Sequence, residues 1–287
     1  MRAGTLNPRP ALFLRRGRGK DGNKGAHRLQ TGILEEMTIE DVRAFRPEVV
    51  AAGIGSVEPH GPVLPYGTDY FQCDAVVRRA VLRANDRGAR ALMYPTLPIG
   101  NNVNFRAFPF ACRIGVQTLM QVVLDILFAL EEDGISKVVL FNGHGGNTDA
   151  LRAALRAHFG SDKPGRRAFV CMTSYVQPKE LVEHPSDHGG ESEVSSILHL
   201  RGDLVRKDKL GVFERGRLAV EALAEENVYF VRPWHLHVPA SAGGDVRKAT
   251  ADKGRGLIDA SAERLATLLA QLSKAPHTDA FPYMKSP

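Results

Sequence analysis

The 287-residue chain has only three cysteines, Cys73, Cys112 and Cys171, far apart and without a C-x-x-C spacing. Their scarcity argues against a disulfide framework or a cysteine-based zinc site, and it fits a reducing compartment, so a cytoplasmic location is expected. No uninterrupted apolar stretch approaches the ~18 residues of a membrane span, so no membrane partner is expected. The glycine-rich loop at 142–147 lacks the lysine and Ser/Thr of a P-loop and the glycine spacing of a dinucleotide-binding turn. The formal charge of +6 is local: residues 1–30 hold eight of the 38 lysines and arginines but one of the 32 acids, leaving 30 basic against 31 acidic residues. Beyond the first thirty residues there is thus no charge footprint for nucleic acid.

Residues 1–36 read as a disordered basic N-terminal extension, rich in Arg and Gly and poor in periodic apolar positions. The segment lacks the ~7–15-residue apolar core of a secretory signal. A transit peptide, an arm that touches RNA or membrane and an extension without a role all fit its composition; the expectation is that it is dispensable. The folded domain is expected over 37–287, with Thr38 capping a helix that begins at Ile39. Strands are predicted at Val49–Ile54, Ala91–Leu97, 137–141, 167–173 and 228–231. Helices are predicted over 74–85 with Val76, Val77, Ala80 and Val81 buried, over 116–133, near 149–158, after Glu191 and over 257–272. This alternation points to an α/β fold with a mostly parallel sheet flanked by helices on both faces. Ligands of such sheets bind beyond the carboxyl ends of the strands.

Three segments carry chemistry. After the first strand the chain reads GSVEPHGPVLPYGTD over 55–69. Glu58 and His60 are two apart, so on extended backbone they point to one side. Pro59, Gly61, Pro62, Pro65 and Gly67 make turns that can fold Asp69 back beside them. Two carboxylates and an imidazole suit a borderline cation such as zinc, manganese or iron; the alternative is a strand that ends in an ordinary polar turn. The strand at 137–141 opens into NGHGGN, 142–147, whose glycines present His144; the alternative is a phosphate cradle. The third segment, DHGGESEVSS at 187–196, offers His188, Glu191 and Glu193. On a helix starting near Glu191, the two glutamates lie about 200° apart. One can enter a site while the other faces water, or both can simply favour the positive end of the helix dipole. Trp234, with His235 and His237, suits a pocket wall or a partly buried loop.

In this order and at these separations the segments resemble the creatininase (creatinine amidohydrolase) family. The resemblance runs over about 37–274 and extends to the late stretch GGDVRKATADKG at 243–254. It implies a two-metal amidohydrolase of layered α/β fold, a homo-oligomer that is usually a hexamer, and two divalent ions (Zn, Mn or Fe) per subunit. Carried over by motif, Glu58, His60, Asp69 and His144 are metal ligands, with Asp69 bridging. Glu193 is the further glutamate of the metal site, and His188 handles protons near the scissile bond. The chain departs from the pattern at three places. Gly146 stands where creatininase carries a glutamate ligand, Val63 replaces the histidine after H-G-P, and Asn102 to Phe105 (NVNF) lacks Ser-x-Glu-His.

The expected function is therefore metal-dependent hydrolysis of a small cyclic or non-peptide amide C–N bond by a metal-bridging hydroxide, with creatinine not the substrate. Two ions lower the pKa of a shared water toward about 7 and polarise the carbonyl it attacks. An imidazole such as His188 can then protonate the leaving nitrogen. A two-metal phosphoesterase, an isomerase, or an inactive binding protein on the same fold are the alternatives.

Overall fold

The computed structural model describes residues 32–161, 167–186 and 188–284. Its centre is a parallel sheet of β1 (Val49–Ile54), β2 (Ala91–Leu97), β3 (Lys137–Asn142) and β4 (Phe169–Ser174) in the order β2-β1-β3-β4. Before it comes α1 (Ile39–Phe45); between the strands run α2 (Thr68–Asp86), α3 (Val116–Glu132) and α4 (Thr148–Phe159). After the sheet come α5 (Glu191–Arg201), a short antiparallel pair of β5 (Val212–Phe213) and β6 (Gly244–Asp245), α6 (Trp234–His237) and α7 (Ala251–Lys274).

The side-chain period of two sorts the strands into two cores. Val49 and Ala51 of β1, with Val139 and Phe141 of β3, pack under α2 and α7. Val50, Ala52 and Ile54, with Val138 and Leu140, face α3 and α4. Because both faces are covered, β1 and β3 are buried throughout and read as continuous apolar runs, as buried parallel strands do. β1 and β3 are neighbours, although β2 and two helices separate them in sequence. The chain leaves β1 toward β2 on one side and passes β3 toward β4 on the other. The crevice between the carboxyl ends of β1 and β3 is thus the topological switch point, where such sheets bind ligands.

The layered α/β architecture is as the sequence predicts; besides α7, which starts at Ala251 rather than at 257, it differs in three places. The helix expected from residue 74 starts at Thr68, so Asp69 sits in its first turn rather than in the preceding loop. Its first two turns bury Asp69, Gln72 and Cys73 instead of a purely apolar stripe, so the periodic signal begins late. The strand expected at 228–231 is absent; Val228, Tyr229 and Val231 are exposed, and an apolar run with nothing to bury against is not held as a strand. No helix among the described residues is long and apolar enough to cross a membrane.

The third difference is at the N-terminal boundary. Most of the expected disordered extension, residues 1–31, lies outside the described residues, but residues 32–36 belong to the fold. The Met93 amide donates to the Gly32 carbonyl at 2.7 Å, and Ile33, 1% exposed, bridges Met93 in parallel and joins the core under α2 and α7. Leu34 packs on the opposite core, and Glu36 pairs with Arg78. Residues 32–36 thus pack as part of the folded unit ahead of Met37. Thr38 does cap α1: its hydroxyl accepts from the Asp41 amide, and Asp41 accepts from the Thr38 amide. A chain starting at Met37 should be less stable to urea than one starting at Gly32 by about 1.5–3 kcal/mol, the value of burying one large aliphatic side chain. Equal midpoints would mean that the packing of residues 32–36 adds nothing to stability.

Candidate metal centre

Past β1 the chain stays extended as far as His60, then turns at Gly61 and returns to start α2. The Glu58 amide donates to the Tyr66 carbonyl at 3.0 Å, His60 pairs with Leu64, and the Thr68 hydroxyl donates to the Pro65 carbonyl at 2.7 Å. This closed loop brings Asp69 back beside Glu58 and His60. From β3, the Asn142 side chain holds the next loop: its Oδ1 accepts from the His144 amide at 3.2 Å and its Nδ2 donates to Thr148 Oγ1 at 3.1 Å. The opening of α5 supplies Glu193, whose Oε2 accepts from the Gly189 amide at 2.5 Å.

All six side chains singled out in the sequence meet at one point. Glu58, Asp69 and His144 offer ligand atoms within 4.8 Å of one another; so do His60, Asp69 and Glu193; so do Glu58, His60 and His188. Asp69 belongs to the first two groups through different oxygens. Its Oδ2 lies 3.0 Å from His144 Nδ1, and its Oδ1 lies 3.3 Å from His60 Nε2. Glu58 Oε1 is 3.3 Å from His144 Nδ1, and Glu193 Oε1 is 3.7 Å from His60 Nε2.

The three imidazoles are oriented alike, each by a backbone carbonyl that can only accept. His60 Nδ1–H donates to the Glu58 carbonyl at 3.0 Å, His144 Nε2–H to that of Asn101 at 3.1 Å, and His188 Nε2–H to that of Pro59 at 2.9 Å. Each ring thus turns its lone-pair nitrogen toward the carboxylates, the arrangement that fixes the tautomer of metal-binding histidines. Glu58 Oε2, His60 Nε2 and Asp69 Oδ2 are buried without a hydrogen bond, although the last two stand at ion-pair range of a neighbour. Buried polar atoms left so are costly unless a ligand satisfies them. With their protons displaced, three carboxylates and three neutral imidazoles would leave a triple negative charge. Two divalent ions would reverse it and leave room for one anionic ligand. Nitrogen and oxygen donors of this kind fit zinc or manganese.

Proton affinities reflect the same crowding. Burial, offset in part by His144, pushes Glu58 up to about 7. Burial works against ionised Asp69, yet His60 and His144 hold it below the usual carboxylate range. Burial disfavours charge on His60 and His144 too, but Asp69 and Glu193 raise the first and Glu58 and Asp69 the second. His188 goes the other way: burial and the nearby His60 lower it to about 4, so it is neutral at neutral pH.

Glu191 is not part of this set. It is 1% exposed and accepts from Lys253 Nζ at 2.6 Å and from the amides of Glu183 and His184 at 3.0 and 2.7 Å. The 200° separation on α5 is realised, but the second glutamate clamps α7 rather than facing water. That clamp explains the late 243–254 stretch. Thr250 caps α7, Lys253 holds Glu191, and at Gly254 the helices are so close that a Cβ would fall 1.9 Å from the Ser195 carbonyl oxygen. Gly146 is likewise steric: a Cβ there would lie 2.3 Å from the Asn101 oxygen and 2.5 Å from His144 Nε2, the two atoms whose hydrogen bond aims His144.

Four further residues at the centre carried little signal of their own. Phe105 and Trp234 lay their rings on His188, with centroids 5.0 and 5.7 Å away, so Trp234 does form a wall. Ser241 Oγ donates to the same Pro59 carbonyl as His188, at 2.8 Å, and Asn101 receives His144. Only their meeting in space marks them.

A profile described as creatininase, creatinine amidohydrolase, matches residues 35–269. The chain belongs to the creatininase family. It is 29% identical over 254 residues, 84% of this chain and 93% of the relative, to a mycofactocin precursor peptide peptidase of Mycobacterium tuberculosis. A protein of the same description from Mycobacterium ulcerans is 27% identical over 78% of this chain and 85% of its own length. The creatinine amidohydrolase of Pseudomonas putida is 25% identical over 56% and 68%. Among solved structures, a chain described as a creatinine amidohydrolase from Bacteroides fragilis superposes with TM-score 0.77 at 28% identity, covering 87% of this chain and 99% of its own. Creatininase structures at 21% identity share the fold, with TM-scores of 0.69 and 0.67; one is described as Zn-Zn type and one as Mn. This creatininase-family chain is accordingly an amidohydrolase whose site residues are suited to metal.

Two outcomes follow for this family member. Replacing Gly146 by Ala, or by the Glu that creatininase carries, should displace His144 and lower the ions bound per chain while circular dichroism is unchanged; a gain of metal affinity in Gly146→Glu would refute this. Because His60, His144 and Glu58 are raised in the metal-free protein, metal must displace protons. Loading should release protons near pH 7 and weaken as pH falls from 8 to 6, as read by calorimetry in buffers of different ionisation heat.

Proposed function

We propose that this protein hydrolyses an open-chain, peptide-type amide C–N bond with two divalent ions, zinc or manganese, and that creatinine is not its substrate. The observation that carries the reading is Asp69, whose two oxygens belong to two adjacent three-residue groups. Glu58 and His144 would complete one ion, and His60 and Glu193 the other. Glu193 is then left to complete its ion without a further carboxylate from the loop, which has no room for one at Gly146. When bound, the ions supply an acidified water as nucleophile and Lewis-acid polarisation of the carbonyl.

The chain's own residues manage protons and water. His188, neutral at the outset, has its Nε2–H committed to Pro59 and its Nδ1 on the Glu58 side, 3.7 Å from Oε1. Nδ1 can take the proton of the attacking water and return it to the leaving nitrogen. Ser241, on the same carbonyl, steadies the ring. Phe105 and Trp234 exclude bulk water from one side of it. The peptidase description of the mycobacterial relatives supports a peptide-type amide and narrows the initial expectation of a small cyclic or non-peptide one.

Metal-replete protein should hold two ions per chain and release amine from short peptides and acyl amides, but not from creatinine, nor phosphate from phosphoesters. Metal-free protein after replete expression would leave only a binding role, and phosphoester turnover would replace the amidase reading. His188→Ala should retain both ions while kcat falls by about 10²–10⁴, the range for a lost acid–base group. Loss of an ion in that variant would make His188 a ligand.

A further inference from the structure

The four-stranded sheet has two edges, and only one of them is covered. At β2 the Met93 amide donates to the Gly32 carbonyl at 2.7 Å, and Ile33 pairs with Met93 in parallel. At the other end of the sheet order stands β4, and no described residue pairs with its outer side. The Phe169 amide donates to the Ser136 carbonyl at 2.9 Å, so Phe169, Cys171 and Thr173 turn their backbone groups toward β3. In a parallel ladder the residues between them turn outward. The amides and carbonyls of Val170, Met172 and Ser174 therefore form an open edge, and none of them has a hydrogen bond among the described residues. Such a row is a template for a further strand.

An open groove of about 630 Å³ lies at this edge. It is lined by Met172, Thr173 and Ser174 of β4, by Arg152 and Arg156 of α4, and by Arg264 of α7. The two helices cover opposite faces of the sheet, so the arginines flank the edge from both sides. No acidic side chain lines the groove. All three arginines are exposed, and none makes an ion pair or side-chain hydrogen bond among the described residues. The acids nearest to them in sequence are engaged elsewhere: Asp149 accepts from the Tyr229 hydroxyl at 2.9 Å, and Glu263 from Arg87 at 2.7 Å. Three like charges at one concavity favour an anionic occupant, and they oppose a second copy of this edge, which would bring three more.

The edge ends beside the metal centre. Ser174 stands opposite Asn142, whose side chain holds the His144 loop, and the hydroxyl of the next residue, Tyr175, donates to the Asp69 carbonyl at 3.4 Å. Strands lie ~4.8 Å apart, so a strand added to β4 would end about 10 Å from the end of β3. About three extended residues span that distance.

We propose that the open edge of β4 docks an acidic segment of a peptide substrate, which adds to the sheet as a fifth strand while the scissile amide reaches the metal centre. The main chain of that segment pairs with Val170, Met172 and Ser174, and its carboxylates with Arg152, Arg156 and Arg264. The enzyme then selects acidic peptides by a segment that lies several residues from the bond it cuts. The substrate class rests on the amidohydrolase reading above; the edge and its charge stand without it.

The metal-loaded full chain is tested on peptides that share one cleavable core. One carries a block of glutamates as long as β4, six residues, on the N-terminal side of the core; one carries it on the C-terminal side; a third carries serines instead. A docked strand has only one end at the rim that holds the metal centre. One of the two acidic peptides should therefore show a KM about tenfold below that of the serine peptide with kcat unchanged, the scale of a few exposed ion pairs added to strand hydrogen bonds. Equal gains from both sides, or no gain, would overturn the docking. N-methylation of every second glutamate keeps the charge and, in one of its two phases, removes the N–H groups that strand pairing needs. A gain that survives both phases would be charge attraction alone and would also overturn the proposal.

Arg152→Glu combined with Arg156→Glu should erase the preference, leave turnover of the serine peptide unchanged and create a preference for a lysine block. A preference that survives in this variant would mean that the ions hold the glutamates, and a change in its sedimentation would mean that a second copy holds the edge; either result overturns the proposal. Anisotropy of the fluorescein-labelled glutamate block without a core reads binding alone. A block that binds through the arginines to a chain that cleaves nothing keeps the edge site and loses the reaction. A core that is cleaved without regard to the block loses the edge site and keeps the reaction.

Discussion

The burial of three carboxylates beside three imidazoles is the constraint on which the rest of the site depends. Glu58, His60, Asp69 and His188 are each less than 5% exposed, with His144 and Glu193 closing the ring around them. Ion desolvation alone would make such a cluster strongly unfavourable. The imidazoles could relieve it by holding protons, which is the direction His60 and His144 take in the absence of metal. His60 Nε2 nevertheless faces Asp69 Oδ1 at 3.3 Å without a hydrogen bond. On the reading proposed above, a pair of dications would resolve both facts at once and leave His188, the one ring lowered rather than raised, to carry protons.

Everything around the cluster holds it in place. The parallel pairing of β1 with β3 sets the Glu58–His60 strand end next to the His144 loop. Asn147 ties the two together by donating to the Ile54 and Gly55 carbonyls and accepting from the Asn101 amide. Glu193 depends on α5, and α5 depends on α7 through Glu191, Lys253 and the close approach at Gly254. The buried Glu191–Lys253 pair, with two backbone amides on the same carboxylate, is satisfied in the way a buried charge must be. It acts on the centre by positioning a neighbouring residue, one helical face away.

At Gly146 the site departs from the pattern that the resemblance implies. The loop position where that pattern has a glutamate is sterically closed here by the Asn101 carbonyl and the His144 ring. Glu193, on a helix anchored from behind, still brings a carboxylate to 3.7 Å from His60. The change therefore removes one carboxylate from the loop side and leaves the helix side unaltered. The wall of Phe105 and Trp234 stands against His188.

Much of this was legible in the sequence because it is written in local patterns. Buried parallel strands appear as short β-branched runs, and Leu119, Val123 and Leu127 mark α3 at helical spacing. Glu58-x-His60 and the glycine-flanked His144 stand at strand ends, so their chemistry could be read before any coordinates. Local patterns fail where tertiary contact substitutes for them. The first turns of α2 bury polar site residues, Ile33 becomes core only by pairing beside Met93, and residues 228–231 look like a strand but find no partner. The sequence by itself determined the fold class, the residue types of the centre and which turns present them. Only the tertiary structure decided that Asp69 faces both groups, that Glu193 rather than Glu191 enters, and that Phe105, Trp234 and Ser241 stand around His188. The reason is physical: ligand spacing and side-chain period are properties of neighbouring residues, whereas convergence on a point depends on how distant segments pack.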